Sequence, residues 1–136
     1  MSNYKVSVRV IATLVVLLCA GLFVVNNELT RAPYVSFASA SGDFQVEAVR
    51  TSWLLGASGM VYLRFVDKKN PNQVYRTPLT SETSLDMQSF EDKDIVGIAW
   101  IDLNKDRRTF TLSVPNWKAH WANFIISNTP YEIMDN

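Results

Sequence analysis

The side chains that most often do chemistry are scarce in this chain. His120 is the only histidine and Cys19 is the only cysteine. These counts exclude an intrachain disulfide framework, a cysteine-cluster zinc or iron–sulfur site and a multi-histidine metal centre. Serine and acidic residues are present that could complete a hydrolase triad, but the chain has no Gly-x-Ser-x-Gly nucleophile elbow. Because His120 lies between Trp117 and Trp121, we interpret it as a surface or capping histidine and predict no catalytic residue and no enzymatic activity.

Asp102, Asn104 and Asp106 have the spacing of the first half of a calcium-binding loop. Such a loop needs glycine at its sixth position and glutamate at its twelfth. Those positions hold Arg107 and Ser113, and a second arginine follows Arg107. Since cationic side chains oppose a divalent cation, we interpret the segment as a β-turn. We therefore predict no metal ion and no cofactor.

Acidic residues cluster in the second half of the chain. Glu91, Asp92 and Asp94 lie close together, and Glu82 and Asp86 precede them. Residues 80–94 are largely polar and acidic, with five acidic residues against Lys93 alone, and predict a loop. Such a loop is most often a solvated connection between strands. The alternative is a contact surface for a basic partner, because complementary charge raises association rates and sets specificity.

Trp53, Leu54 and Leu55 directly follow a predicted strand. We favour a core position for Trp53. If the side chain is exposed, it belongs to a tip that binds a partner or touches a membrane, because tryptophan anchors both kinds of interface. The candidate partner-binding residues of the chain are accordingly Trp53 and the acidic residues Glu82, Asp86, Glu91, Asp92 and Asp94.

The chain has 136 residues, with 13 Lys+Arg and 13 Asp+Glu. Lys5 and Arg9 are the only charged residues among the first 25, so the remainder carries a net charge of −2. This distribution does not resemble the basic surface of a nucleic-acid-binding protein. The 48% apolar content is enough to build a core, and the length allows one ordinary domain.

An uncharged apolar segment begins at Val10 and ends at Val25. Its 16 residues span about 24 Å as a helix, and extension back to Val6 reaches the ~30 Å of a bilayer if Arg9 snorkels to the headgroups. We interpret it as a retained transmembrane anchor that contacts the lipid bilayer. The alternatives are a cleaved signal peptide, a lipoprotein signal and a buried core helix.

The flanks of this segment predict its orientation. Lys5 and Arg9 precede it, whereas Asn26, Asn27 and Glu28 follow it. The positive-inside rule places the N-terminus in the cytoplasm and the rest of the chain across the membrane. In a Gram-negative cell this arrangement means an inner-membrane anchor and a periplasmic domain. We divide the chain into a cytoplasmic stub and anchor at 1–25, a tether at 26–41 and an exported β domain at 42–136.

The predicted domain is mainly β, a small antiparallel sheet or sandwich. Residues 44–49 alternate apolar and polar side chains, and residues 59–66 are β-branched and aromatic. Both patterns predict strands. Turn residues at 67–73 and the return at 74–77 predict a hairpin.

Two further patterns lie nearer the C-terminus. The apolar run 95–103 predicts a central strand, and a turn at 104–106 joins it to a strand at 107–114. The segment from Trp117 to Ser127 is either an amphipathic helix capped by Asn116 or a strand, because Trp117, Trp121 and Phe124 recur at helical spacing.

Part of the predicted domain resembles a group of small proteins from Gram-negative bacteria. The resemblance is carried by residues 41–47, by residues 59–67 with the hairpin return, and by Ile98-Ala99-Trp100. It covers roughly residues 41–103 and transfers no functional residues. Those proteins have an N-terminal hydrophobic segment, and some are encoded beside secreted antibacterial toxins and are thought to act as immunity proteins.

The resemblance implies a membrane-anchored periplasmic immunity protein whose partner is a toxin. The alternative is a structural accessory subunit of an envelope complex, such as a secretion or conjugation machine. In both cases the predicted partner is a protein and not a nucleic acid.

Overall fold

A computed structural model describes residues 2–55 and 58–134, and the chain divides into two compact units, Met1–Arg31 and Ala32–Asn136. The first unit is the helix α1, Ser2–Leu29. Within it, Ser7–Leu29 is long and apolar enough to cross a membrane, since 23 helical residues span about 35 Å. The predicted apolar segment lies inside this helix, and the helix continues four residues past Val25.

The first sheet of the second unit holds five strands. They are β1 (Val35–Ala38), β2 (Phe44–Arg50), β3 (Met60–Asp67), β4 (Val74–Arg76) and β5 (Thr80–Ser81). The order is β1-β2-β3-β4, β5 also pairs with β3, and every pair is antiparallel. The strands predicted at 44–49 and 59–66 and the hairpin to 74–77 are confirmed.

β1 lies in the segment that we expected to be a tether. Val35 pairs with Ala48 and Phe37 pairs with Val46, and both side chains pack against the hydrophobic core. A tether would leave these two apolar groups in water. The strand at 35–38 is therefore a correction to the predicted tether, as are the helical residues 26–29.

The second sheet has the order β10-β9-β8-β7-β6. Its strands are β6 (Asp86–Glu91), β7 (Ile95–Ala99), β8 (Ile101–Asn104), β9 (Thr109–Leu112) and β10 (Tyr131–Ile133). β10 runs parallel to β9, and the other pairs are antiparallel. The predicted hairpin around residues 104–106 is confirmed by the pairing of β8 with β9. The Asn104 side chain accepts hydrogen bonds from the backbone of Asp106 and Arg107, which fixes the turn.

The apolar run 95–103 is two strands and not one. The chain reverses at Trp100, whose φ is +75°, so that Ile98 pairs with Ile101. Both halves of the run are buried, because Val96, Ile98, Ile101 and Leu103 all join the core. The turn has none of the glycine, asparagine or proline residues that normally reveal one.

The predicted acidic loop at 80–94 is largely ordered secondary structure. It contains β5, a single 3-10 turn at Glu82–Ser84 and the edge strand β6, which has a register shift between Asp86 and Ser89. Most side chains of β6 face water. Apart from Met87 and Phe90, the residues of this edge strand are polar, which is why its sequence resembles a loop.

The C-terminal segment forms only the short helix α2, Asn123–Ile126. Asn116, the expected cap, has a φ of +56° and lies outside that helix. Trp117 also lies outside it, and its indole Nε1 donates to the carbonyl oxygen of Leu79 at 2.9 Å.

The two sheets pack face to face as a sandwich. Phe44, Val46 and Leu63 of the first sheet and Ile98, Leu103 and Phe110 of the second belong to one hydrophobic cluster. The rings of Phe65 and Phe110 meet across the sheets with centroids 5.3 Å apart. Complete burial of a phenylalanine contributes about 1.5–3 kcal/mol, so this interface holds the sheets together.

The two ends of the sandwich differ in composition. At the tryptophan end, residues 51–59 connect β2 to β3 and Trp100 connects β7 to β8, and neither connection holds a charged residue. At the charged end, the segments 39–43, 67–73, 91–95 and 104–108 together hold six acidic and six basic residues. Tyr34, the residue before β1, donates its backbone N–H to Ala48 near the end of β2. The chain therefore enters the sandwich at the tryptophan end.

Candidate partner-binding surface

Glu91 is the centre of the charged end. Its carboxylate accepts hydrogen bonds from the backbone N and the hydroxyl of Ser41, both at 2.7 Å, and from the Lys105 ammonium at 2.8 Å. Burial acts to raise the pKa of Glu91, but the hydrogen bonds from Lys105 and Ser41 outweigh it and lower the pKa to about 2. The carboxylate is thus ionised and already satisfied. Its role is to join the two sheets, so it is not a free charge for a partner.

Asp92 is also engaged within the chain. One carboxylate oxygen accepts from the backbone N–H groups of Asp94 and Ile95, at 2.8 and 2.9 Å. These two hydrogen bonds hold the pKa of Asp92 below its ordinary value. The Asp94 side chain is exposed. Of the three predicted acids at this end, Asp94 therefore presents its carboxylate most freely.

Glu82 lies at the opposite end of the sandwich. The Arg50 guanidinium donates to both of its carboxylate oxygens at 2.6 to 3.1 Å and stacks on the Tyr34 ring at 4.0 Å. The hydrogen bond from Arg50 lowers the pKa of Glu82. Asp86 starts β6 and pairs with Ala99 next to the Trp100 turn. The length of β6 thus separates Glu82 and Asp86 from the other three acids.

Trp53 is 78% exposed, so the favoured core position is wrong. It begins a 3-10 turn whose third residue, Leu55, is buried. Trp53 lies at the tryptophan end, far from Glu91, Asp92 and Asp94. The structure therefore does not bring the predicted partner-binding residues together on one surface.

Sequence reasoning missed a second aromatic surface, the aromatic turn, which comprises residues 121–126. Phe124 is 92% exposed and Trp121 is 63% exposed, whereas Ala122 and Ile126 are buried. The spacing of the aromatic residues predicts an amphipathic helix as one alternative, without indicating which side chains it buries. The short helix instead buries the small and aliphatic residues and presents the two largest rings to water.

The aromatic turn is fixed by side chains that bond to backbone groups. The Asn123 amide oxygen accepts from the N–H of Leu79 at 2.7 Å, and Arg76 donates to the carbonyl oxygen of Ile126 at 2.8 Å. Directly after the turn, Asn128 accepts from the N–H of Arg76 and donates to the carbonyl oxygen of Val74, both at 2.7 Å. Asn123 and Asn128 are the sequence signal that could have revealed this docking.

A polar cleft of about 350 Å³ lies beside the residues that follow the turn, and its lining includes Asn72, Tyr75, Arg108 and Asn128. The Arg108 guanidinium stacks near the rings of Tyr75 and Phe44, at 5.2 and 5.7 Å. Its Nη2 lies 3.7 Å from an Asp67 oxygen, while its buried Nη1 has no hydrogen-bond partner. The cleft can accept a single polar side chain, such as a carboxylate or an amide.

His120, which the sequence indicates to be a surface or capping histidine, makes a local contact just before α2 and is not its N-cap residue. Its Nδ1 accepts the backbone N–H of Ala122 at 3.1 Å, and its ring lies 5.9 Å from the Trp121 ring. These contacts place the imidazole at the start of the aromatic turn, where it helps to set the backbone that presents Trp121.

Comparisons with protein-family models, with curated proteins and with solved structures find no match to this chain.

Proposed function

We propose that this chain is a single-pass membrane protein whose β domain binds a protein partner through the aromatic turn. The observation that carries the proposal is the exposure of Trp121 and Phe124 on a backbone that hydrogen bonds hold in place. Large aromatic side chains dominate the energy of protein interfaces. Presenting them on a fixed backbone lowers the entropy lost on binding.

The polar cleft and the charged end extend this surface. The Arg108 side chain lines this cleft and is 37% exposed, so a carboxylate or amide of the binding protein can hydrogen-bond to its guanidinium. Asp94 and the neighbouring lysines and arginines add exposed charge, which steers association more than it adds affinity. Aromatic anchors beside a polar rim are typical of transient and inhibitory interfaces.

We further propose that the domain is periplasmic, that α1 is an inner-membrane anchor with a cytoplasmic N-terminus, and that the protein is an immunity protein against a secreted antibacterial toxin. The residues before and after the apolar segment support the orientation. The resemblance of residues 41–103 to immunity-like proteins supports the role. An anchor would keep an inhibitor where a toxin that attacks the envelope arrives.

The second candidate is an accessory subunit of an envelope complex. The exposed edge strands β6 and β10 favour it, because an unpaired strand edge can extend a sheet of another subunit. The two candidates differ in stoichiometry and stability of association. An inhibitor forms a discrete one-to-one complex with its toxin, whereas a subunit co-purifies with several envelope proteins.

The test is the binding of the full chain, in detergent micelles, to the protein that co-purifies with it from its own cell envelope. Surface plasmon resonance should show that Phe124→Ala dissociates at least about 30-fold faster than the unmodified protein, as expected for a hot-spot residue. Phe90→Ala is the matched control, because Phe90 is an exposed aromatic residue on β6. Equal dissociation rates for the two variants would refute the aromatic turn as the interface.

A further inference from the structure

The tryptophan end of the β domain combines large exposed apolar side chains with almost no charge. Trp53 is 78% exposed and Leu54 is 51% exposed. They project from a loop that is closed at its base by two hydrogen bonds from Thr51 to the carbonyl oxygen of Met60, at 3.2 and 3.0 Å. Leu55 is buried beneath them. The pair is therefore held outward by a structured turn.

Trp100 belongs to the same end. The Trp100 carbonyl oxygen accepts a hydrogen bond from the backbone N–H of Ser113 at 2.7 Å. Val114, which follows Ser113, lines the same cavity as Met60, the first residue of β3. Trp100 is 44% exposed and occupies a left-handed backbone position. Such a position normally favours glycine. A strained position that keeps a large exposed ring indicates a function for the ring.

The charges near this end are few and partly neutralised. Arg50 and Glu82 form a forked pair, which leaves Asp86 and Lys118 as exposed charged residues of the rim. The charged end, in contrast, has a charged residue at more than half of its positions. The tryptophan end of the sandwich is therefore largely apolar, and the charged end is hydrophilic.

The tryptophan end is also the end at which the chain enters the β domain after α1. Only residues 30–33 separate Leu29, the last residue of α1, from Tyr34. Five steps of at most about 3.6 Å limit the distance between the Cα atoms of Leu29 and Tyr34 to about 18 Å. If α1 crosses a bilayer, the tryptophan end cannot leave the neighbourhood of the lipid headgroups.

We propose that the tryptophan end rests on the bilayer surface, with Trp53, Leu54 and Trp100 inserted among the lipid headgroups. Tryptophan is enriched at this level of a membrane because its indole is apolar with one polar N–H. The contact would orient the β domain so that the charged end points away from the lipid. This inference rests on the proposed anchoring by α1.

The experiment uses the full chain reconstituted into vesicles of phosphatidylethanolamine and phosphatidylglycerol that contain a lipid spin-labelled near its headgroup. A spin label quenches tryptophan emission only at short range. The double variant Trp53→Phe, Trp100→Phe should lose most of the label-dependent quenching of the unmodified chain. Trp121→Phe, which removes an exposed tryptophan of the aromatic turn, should keep it.

Alkaline carbonate extraction of the same vesicles distinguishes failure of the proposed surface contact from failure of the proposed anchor. If the chain resists extraction but the double variant is quenched as strongly as the unmodified chain, the surface contact is refuted and the anchor stands. If the headgroup label does not quench the unmodified chain at all, the exposed tryptophans contact water or a protein and the contact is again refuted. If carbonate releases the chain, the anchor itself is refuted, and the surface contact with it.

Discussion

Ser41 and Glu91 are 50 residues apart in the chain and are joined by two hydrogen bonds of 2.7 Å. Ser41 lies in the turn before β2, in the first sheet, and Glu91 ends β6, at the edge of the second. Lys105 adds an ion pair to the same carboxylate. An acidic residue therefore links the two sheets at the charged end, although composition alone would assign it to solvent or to a partner.

The first prediction concerns the pH dependence of this contact. The pKa of Glu91 is about 2 in the folded state, against 4.5 as its ordinary value. A lowered folded-state pKa contributes stability above the ordinary value, and that stability is lost as the pH falls from about 4.5 to about 2. Because Ser41 is exposed and the Lys105 side chain is 21% exposed, solvent weakens these contacts, and we expect a contribution of about 1–2 kcal/mol.

Urea unfolding of the full chain in micelles, followed by circular dichroism between pH 6 and pH 2.5, measures the effect. Glu91→Gln should be less stable than the unmodified protein at pH 6, and the difference should shrink as the pH falls. Asp94→Asn is the control, because it removes an exposed carboxylate from the same segment of the chain. Parallel stability curves for Glu91→Gln and the unmodified protein would contradict the assignment.

The second prediction concerns Gly97, in the middle of β7. A Cβ atom at this position would overlap the carbonyl oxygen of Ile101 and lie 3.0 Å from the Cα of Asp102. Both obstacles are backbone atoms and cannot rotate away. Gly97→Ala should destabilise the β domain by about 2–4 kcal/mol, measured as a shift of the urea midpoint. Gly21→Ala in α1 meets nothing within 4 Å and should leave that midpoint unchanged.

The third prediction concerns the backbone of Trp100. Replacing an exposed residue by alanine normally gives a more stable protein than replacing it by glycine, by about 0.4–1 kcal/mol. At a φ of +75° the order should reverse, because glycine alone adopts this conformation without cost. Trp100→Gly should therefore equal or exceed Trp100→Ala in stability by up to about 1 kcal/mol. A clear advantage for the alanine variant in thermal unfolding would show that the turn is not strained.

The sequence predicted those elements whose side-chain pattern is set locally. Phe44, Val46 and Ala48 alternate with polar residues because β2 has one face on the core, and period-two alternation makes such a strand visible. The turn at Asn104 carries its own asparagine cap. In both places the local pattern and the tertiary environment demand the same structure.

Other features depend on contacts between distant residues, and the sequence does not show them. The reversal at Trp100 uses a residue that avoids left-handed backbone. The exposure of Phe124 follows from Asn123 bonding to Leu79, 44 residues away, and not from its helical spacing. The acidic residues that lie close together in the sequence are separated in the structure because β6 is an extended edge strand. Its pairing with β7 places Asp86 at the tryptophan end of the sandwich and Glu91 at the charged end.

The fourth prediction separates presentation of the aromatic turn from the rings themselves. Asn123→Ala removes the acceptor for the N–H of Leu79, which should cost about 1–3 kcal/mol in stability. It should also weaken partner binding although no exposed ring is lost. Ser127→Ala is the control, since the Ser127 hydroxyl makes only a long hydrogen bond of 3.4 Å. Partner affinity that is unchanged in Asn123→Ala would mean that the turn need not be fixed.

Site-specific photocrosslinking in living cells shows whether the aromatic turn binds a protein. A photoreactive phenylalanine analogue is placed at Phe124 in the full chain, and the same analogue at Gln88, an exposed position on β6, serves as the control. We expect a discrete protein adduct from position 124 that is absent from position 88 and that disappears when Trp121→Ala is added. Adducts of equal yield from both positions, or adducts to lipid alone from position 124, would contradict the claim.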